Sequence, residues 1–240
     1  VGPAPELTVL VPVYNEEKNL ARNLPVLVAA ARACSPNYEI LLVDDGSKDA
    51  GRELIAAAQK KNRRIRLRTH ARNLGPGAAI PTGLFWARGQ WIMLLPADLA
   101  CAPAQIPDFF AARRGADLVV ALRSDRADYS LARKALSVTF LALVRGLSGS
   151  QIRQFNYLQL YRRSIFDRLR VNSRGVFVTA EIILRAEQAG FRVRQFPMQY
   201  RPRLAGKAAG ARPSAIARCG LEMTRFFALH WNQKTDKVID

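Results

Sequence analysis

Leu7–Val13 reads Leu-Thr-Val-Leu-Val-Pro-Val, an almost unbroken apolar run rich in β-branched residues. A strand covered on both faces needs such a run, because neither side of its pleat meets water. After the polar stretch Tyr14-Asn15-Glu16-Glu17, apolar Leu20, Leu24, Leu27 and Ala31 recur at helical spacing and predict a helix from Glu16 to Ala33. Tyr38–Val43 predicts a second strand, which stops at Asp44-Asp45-Gly46-Ser47. Ser47 or Asp49 then stands where a cap is needed for a helix over Asp49–Lys60. The alternation continues through a strand at Ile65–Thr69 and a loop, Asn73-Leu74-Gly75-Pro76-Gly77, that opens a helix over Ala78–Ala87. A strand at Gln90–Leu95 runs into Pro96-Ala97-Asp98, and a helix over Pro103–Arg114 leads to a strand at Ala116–Leu122.

Strand alternating with helix over short connections predicts an α/β fold, a mostly parallel sheet with helices on both faces. Ligands bind such sheets at the carboxyl ends of the strands. The polar and acidic clusters at Tyr14–Glu17, Asp44–Ser47 and Asp98 fall there, which points to a nucleotide-handling pocket. After Arg123 the rhythm changes. Helices are predicted over Leu131–Leu147, Arg162–Leu169 and Val178–Ala189, the last ended by Gly190, with strands at Leu158–Tyr161 and Phe191–Met198. A basic loop, Tyr200–Arg212, precedes a final amphipathic helix over Ser214–Trp231.

Charge sharpens this picture. The chain carries 37 Lys and Arg against 19 Asp and Glu, net +18, and the excess is unevenly placed. Residues 1–50 hold 4 basic and 7 acidic groups, residues 51–122 hold 11 and 4, and residues 123–240 hold 22 and 8. The second half is therefore expected to face something anionic: lipid headgroups, a phosphorylated substrate or nucleic acid. A nucleic-acid role explains the charge but not the acidic strand ends, and no interleaved aromatic and basic motif supports it; none is expected. Three scattered cysteines, Cys34, Cys101 and Cys219, exclude a disulfide framework and fit a reducing compartment. The opening Val1-Gly2-Pro3-Ala4-Pro5 shows no secretory pattern and leaves open that the chain is a fragment cut at its start. The longest apolar run, Ala135–Val144, is shorter than the roughly 20 residues that span a bilayer, so a soluble or peripheral protein is expected.

Four motifs in order, Val11-Pro12-Val13-Tyr14-Asn15-Glu16-Glu17, Val43-Asp44-Asp45-Gly46-Ser47, Asn73-Leu74-Gly75-Pro76-Gly77-Ala78-Ala79 and Ala116-Asp117-Leu118-Val119-Val120, resemble the family-2 inverting glycosyltransferases of the GT-A fold. The likeness is greatest to the dolichyl- and polyprenyl-phosphate glycosyltransferases and covers about residues 7 to 207. It implies a GT-A, Rossmann-like domain over residues 1–212, with a nucleotide-binding half over 7–122 and an acceptor half over 123–212. The amphipathic helix and tail occupy 213–240.

The resemblance also implies roles. Pro12, Tyr14, Glu16 and Asp44 would hold the base and ribose of a UDP- or GDP-linked sugar, an aromatic face and carboxylate acceptors suiting a ring and its N–H edge. Arg203 and Lys207, in a glycine-containing loop with Arg201 and Gly206, would cover the donor diphosphate. Arg123 and Arg133 would take the phosphate of a polyprenyl acceptor, since a guanidinium fork matches phosphate. Asp98 would be both the metal ligand and a catalytic residue. The family's Asp-x-Asp is incomplete, however: Pro96 stands at the first Asp, and Ala100 where Gln often follows. Mg²⁺ or Mn²⁺ would then rest on Asp98, donor phosphates and water, or be replaced by arginine and lysine.

Glu181 matches a family glutamate near the sugar pocket and equally fits an ordinary helix position. In 153–163 the family's Asp-x-x-Ser-Gly-Phe is lost, leaving Gln154, Asn156 and Gln159 as possible sugar contacts and no carboxylate as general base. An ionised phosphate acceptor needs no such base, whereas a hydroxyl does. The expected function is inverting sugar transfer from a nucleotide donor to a polyprenyl phosphate, peripheral at the cytoplasmic face of an anionic membrane. A non-catalytic binding protein on a degenerate fold, and transfer to a hydroxyl, stay open.

Overall fold

The computed structural model describes residues 3–123, 131–155, 158–201 and 213–229, without the side chains of 131–134, 213 and 214. Seven strands form one sheet: β1 Leu7–Val13, β2 Tyr38–Asp44, β3 Ile65–Thr69, β4 Trp91–Leu94, β5 Leu118–Arg123, β6 Gln159–Arg162 and β7 Val193–Met198. Their order is β3-β2-β1-β4-β6-β5-β7. Only β6 runs antiparallel to its neighbours, so the sheet is mostly parallel, as the alternating pattern predicts. The helices are α1 Glu17–Cys34, α2 Gly51–Lys61, α3 Pro76–Trp86, α4 Ile106–Ala111, α5 Leu131–Ser148, α6 Val178–Gln188 and α7 Pro213–Leu229.

Each central strand is buried on both faces and divides its side chains between two cores. On β2, Tyr38, Ile40 and Leu42 join the core beneath Leu20 and Leu27 of α1 and Ile55 of α2. Leu41 and Val43 join the opposite core, with Ile80 of α3, Ile182 of α6 and Phe226 of α7. This period of two explains why the strands read as continuous apolar runs. A buried carboxylate, Glu39, is tolerated at the amino end of β2. It accepts from Thr8 Oγ1 at 2.7 Å, Arg88 N at 2.8 Å and Arg66 Nη1 at 2.7 Å, so neither oxygen is left without a partner.

Several element boundaries differ from the sequence expectation for identifiable reasons. α3 begins at Pro76, two residues early, because Gly75 at φ 88° turns the chain and a first-turn proline loses no hydrogen bond. The helix expected over 103–114 is a 3-10 turn at Pro103–Gln105 followed by the short α4. The helix expected over 162–169 is a 3-10 turn at Arg163–Asp167. α6 stops before Gly190, whose φ of 78° suits the residue that ends a helix.

α7 lays its aromatic side on the core. Phe226 is 2% exposed, with its ring 5.6 Å from Phe177 at the start of α6. Met223 and Phe227, partly buried, pack against the same core, while Ile216 is half-buried; Trp231 lies outside the described residues. Leu221 and Leu229 on α7, and Leu136, Val138, Leu143 and Leu147 on α5, stay exposed. No helix among the described residues is long and apolar enough to cross a membrane.

Candidate active site

The site begins where β1 and β4 part. Leu95 N donates to Leu10 O at 3.0 Å, so the even residues of β1 turn their backbone toward β4. Val13 O, on the odd side, accepts from Asp45 N at 2.8 Å, toward β2. Pro12 thus lacks its N–H on the β4 side, just past the last β1–β4 pair, Leu10 with Leu94. With β2 on one side of β1 and β4 on the other, this is the switch point of the sheet, where a crevice opens at the carboxyl edge.

One wall of the crevice is a pair of interlocked loops. Asn15, at φ 53°, donates its backbone N–H to Ser47 Oγ at 3.0 Å, and its Oδ1 accepts from Lys48 N at 2.8 Å. Asp49 joins two helix starts: Oδ2 takes Glu17 N at 2.9 Å and Oδ1 takes Gly51 N at 3.1 Å. Tyr14 and Glu16, half-buried, are carried on this frame; Glu16 also accepts from Asn19 Nδ2. Asp44 is fully buried. Its Oδ1 takes Ser47 N at 3.1 Å, and its Oδ2 takes Arg52 Nε at 3.0 Å and Nη2 at 2.8 Å. The Asp44 carboxylate is thereby held in place at the end of β2.

Asp45 does different work. Oδ1 accepts from Leu74 N at 3.0 Å and lies 2.7 Å from His70 Nδ1, while Oδ2 accepts from Gly75 N at 2.7 Å. His70 Nε2 in turn lies 3.0 Å from Thr82 Oγ1 on α3. One carboxylate thus fixes the loop that starts α3. Gly46 allows that loop to approach, since a Cβ there would lie 2.5 Å from the Arg72 backbone.

The other wall carries Asp98, 8% exposed, in the turn after β4. Asp98 Oδ1 accepts from Ala100 N at 3.1 Å, and Leu99 takes φ 44°, which a leucine adopts only when its surroundings impose it. Asn23 of α1 braces the turn from below, donating to Ala97 O at 2.9 Å. Ala102 N donates to Gln199 O at 3.0 Å, which ties the chain just after β7 to the turn that carries Asp98. Burial pushes the Cys101 thiol up to about 12; the Asp98 charge adds to this and the Arg201 charge opposes it.

Arg123 sits at the end of β5. Its backbone is clasped by Gln154, whose Oε1 accepts Arg123 N at 3.0 Å and whose Nε2 donates to Arg123 O at 3.0 Å. Its guanidinium lies 3.1 Å from the centroid of the Tyr200 ring. Asp98, Arg201 and Arg123 are thus gathered at one edge of β4, β5 and β7. The side chain of Arg133, and Arg203, Lys207 and Asn156, lie outside the described residues.

Three expected sugar contacts are otherwise engaged, the first being Gln154, whose amide is bonded at both ends to the Arg123 backbone. Gln159 is fully buried, donating to Phe155 O at 2.6 Å and accepting from Tyr161 O–H, so neither end of its amide faces a ligand. Glu181 is buried and spends its oxygens on Asn172 N, Ser173 N and Arg185 Nε. Three structural supports escaped the sequence reading: Asn23, the His70–Thr82 bridge, and Glu222. The last accepts from Arg174 N at 3.1 Å. Burial pushes its carboxyl upward, and the Arg174 N–H and the Arg218 charge partly offset this.

For a divalent cation, the donor set is short. No three His, Cys, Asp or Glu side chains converge among the described residues. Mg²⁺ is nevertheless commonly held by one or two carboxylates plus substrate phosphates. Asp98 fits a cation that shares its shell with a diphosphate, and does not fit one held by protein alone.

This switch-point crevice, with acidic and aromatic residues on one wall and Asp98 and arginines on the other, is that of a GT-A glycosyltransferase. The chain belongs to Glycosyl transferase family 2, whose model matches residues 8–173. It is 36% identical over 181 residues to an undecaprenyl-phosphate 4-deoxy-4-formamido-L-arabinose transferase of Salmonella paratyphi A, covering 74% of this chain and 55% of that one. The chain thus spans about half the length of such relatives. In fold it is similar to glucosyl-3-phosphoglycerate synthase from Mycobacterium tuberculosis in complex with UDP, with TM-score 0.72 and 14% identity over 93% of this chain and 80% of that one. The same enzyme in complex with Mg²⁺ and UDP gives TM-score 0.69 at 14% identity, over 93% of this chain and 79% of that one.

Proposed function

We propose that the chain transfers a sugar from a UDP- or GDP-linked donor to a polyprenyl phosphate, with inversion. The observation that carries this reading is that Asp98 after β4, Arg123 at the end of β5 and Arg201 after β7 lie at the same carboxyl edge of the sheet as Tyr14, Glu16 and Asp44. The base and ribose lie against Tyr14, Glu16 and Asp44, past the gap left by Pro12. The donor diphosphate then reaches Asp98, with Arg203 and Lys207 neutralising the leaving group. Asp98 would hold Mg²⁺ or Mn²⁺, which when bound offsets the charge that develops on the diphosphate.

Arg123 and Arg133 orient the acceptor phosphate. One of its oxygens attacks the anomeric carbon in line as the bond to the diphosphate oxygen breaks, so the nucleoside diphosphate departs and configuration inverts. A phosphate is ionised at neutral pH, so the lack of a carboxylate in 153–159 costs the reaction nothing. The name of the Salmonella relative, an undecaprenyl-phosphate transferase, supports this choice of acceptor. The exposed leucines of α5 and α7, set among basic residues, support work at the anionic inner face of the cytoplasmic membrane, where such an acceptor is held.

Calorimetric titration of UDP and GDP, with and without Mn²⁺, into wild type and Tyr14→Ala tests the donor half. Micromolar binding of one nucleotide, weakened by Tyr14→Ala, is expected; binding of neither nucleotide overturns the reading.

A further inference from the structure

Glu222 on α7 lies 48 residues beyond the backbone it grips. Its Oε1 accepts from Arg174 N at 3.1 Å, and its Oε2 is buried with no hydrogen-bond partner among the described residues. Gly175 leaves it room: a Cβ there would stand 2.8 Å from Oε2 and 3.0 Å from Oε1. Glu181 of α6 takes the preceding N–H groups, Asn172 at 3.1 Å and Ser173 at 2.7 Å. Two carboxylates on two helices thus hold the consecutive backbone donors of Asn172, Ser173 and Arg174, which lead into the turn up to Phe177.

The same turn presses on α3. A Cβ on Gly77 would stand 1.9 Å from the Arg174 carbonyl carbon, and one on Gly75 would stand 3.7 Å from the Arg174 oxygen. Gly75 N and Leu74 N are in turn bonded to Asp45 at the end of β2. The path from α7 to the nucleotide wall is therefore continuous: Glu222, the 174–177 turn, Gly77 and Gly75, Asp45. Packing of Phe226 on Phe177, and of Arg185 over Phe226 at 5.3 Å, keeps α7 seated on the turn it holds.

We infer that Glu222 is a positioning residue for the nucleotide site: by holding the 172–177 turn against Gly75 and Gly77 it fixes the start of α3 for the donor, which makes α7 part of the donor site. The inference rests on the donor placement under "Proposed function". It goes beyond it by giving the C-terminal helix a role in nucleotide binding.

The test compares wild type, Glu222→Ala and Glu222→Gln in the full chain by amide hydrogen exchange and by UDP and GDP calorimetry. In Glu222→Ala, the amides of Leu74, Gly75, Ala78 and Ala79 are expected to exchange about tenfold faster, with those of β1 and β2 unchanged. The Kd of the bound nucleotide is expected to rise by about the same factor. Glu222→Gln, whose amide oxygen still accepts from Arg174 N, restores most of both. Unchanged exchange at 74–79, equal acceleration across β1 and β2, or a Gln variant as impaired as Ala overturns the inference. If wild type binds neither nucleotide, the donor reading fails and the exchange data alone decide the positioning role.

Discussion

Asn23 Nδ2 donates to Ala97 O at 2.9 Å, tying the buried side of α1 to the residue just before Asp98. The bond crosses 74 residues of sequence and is itself buried. Asn23→Leu keeps the volume and removes the donor, which should cost about 1–3 kcal/mol in urea unfolding. It should also lower kcat more than it raises donor KM, because it loosens the turn that aims Asp98. An unchanged kcat would show that the turn holds itself.

Asp45 is expected to be the least replaceable acid of the nucleotide wall. Asp45→Asn turns one acceptor into a donor that opposes Gly75 N or Leu74 N, both now bonded to the carboxylate. A loss of about 2–3 kcal/mol and of nucleotide binding is expected, measured by chemical unfolding and calorimetry. Wild-type affinity in this variant would remove Asp45 from the account.

Gly77 and Gly190 make a matched pair. A methyl at Gly77 meets the Arg174 backbone at 1.9 Å, and backbone cannot swing aside as a side chain can. Gly77→Ala should cost about 3 kcal/mol or more and abolish nucleotide binding. Gly190→Ala meets nothing within 4 Å and suffers only from its φ of 78°. About 1 kcal/mol is expected there, with nucleotide affinity intact.

These cases show what the sequence made legible. β1, β2 and β4 could be read because strands covered on both faces must be apolar throughout, and the positions of Tyr14, Glu16, Asp44 and Asp98 followed from where those strands stop. The start of α3 was misplaced by two residues, since Pro76 reads as loop until Gly75 is known to turn at positive φ. Gln159 read as a sugar contact because a polar residue at a strand start looks exposed; here Tyr161 and Phe155 satisfy it inside the core. Glu181 reads equally as a glutamate near the sugar pocket or an ordinary helix acid, and Glu222 gives no signal, because the N–H groups they serve come from a turn brought to them only by packing. Asn23 gave no signal at all, being one polar residue on an otherwise ordinary helix face.

Burial sets the behaviour of the thiols. It pushes Cys34 and Cys101 up to about 12 and Cys219 up to about 11. The folded chain therefore keeps these protons when the unfolded chain, with thiols near the ordinary value of about 8.5, has lost them. Their contribution is fully present at neutral pH and falls as pH rises from about 9 toward the folded values. Melting temperature should drop between pH 8 and pH 10, by less in Cys101→Ala if its core packing survives. At pH 8, iodoacetamide should leave all three thiols of the folded protein unmodified and label all three in urea, as read by mass spectrometry.

Acceptor choice is the centre of the functional account, and nucleoside diphosphate release measures it most directly. Wild type and Arg123→Ala are incubated in anionic vesicles with nucleotide-sugar donors, Mn²⁺, and either a polyprenyl phosphate or the matching polyprenol. The account predicts release, and label extracted into the organic phase, with the phosphate alone, and a fall of at least about tenfold in Arg123→Ala. Equal transfer to the polyprenol, or nucleotide binding with no release on either acceptor, would contradict it.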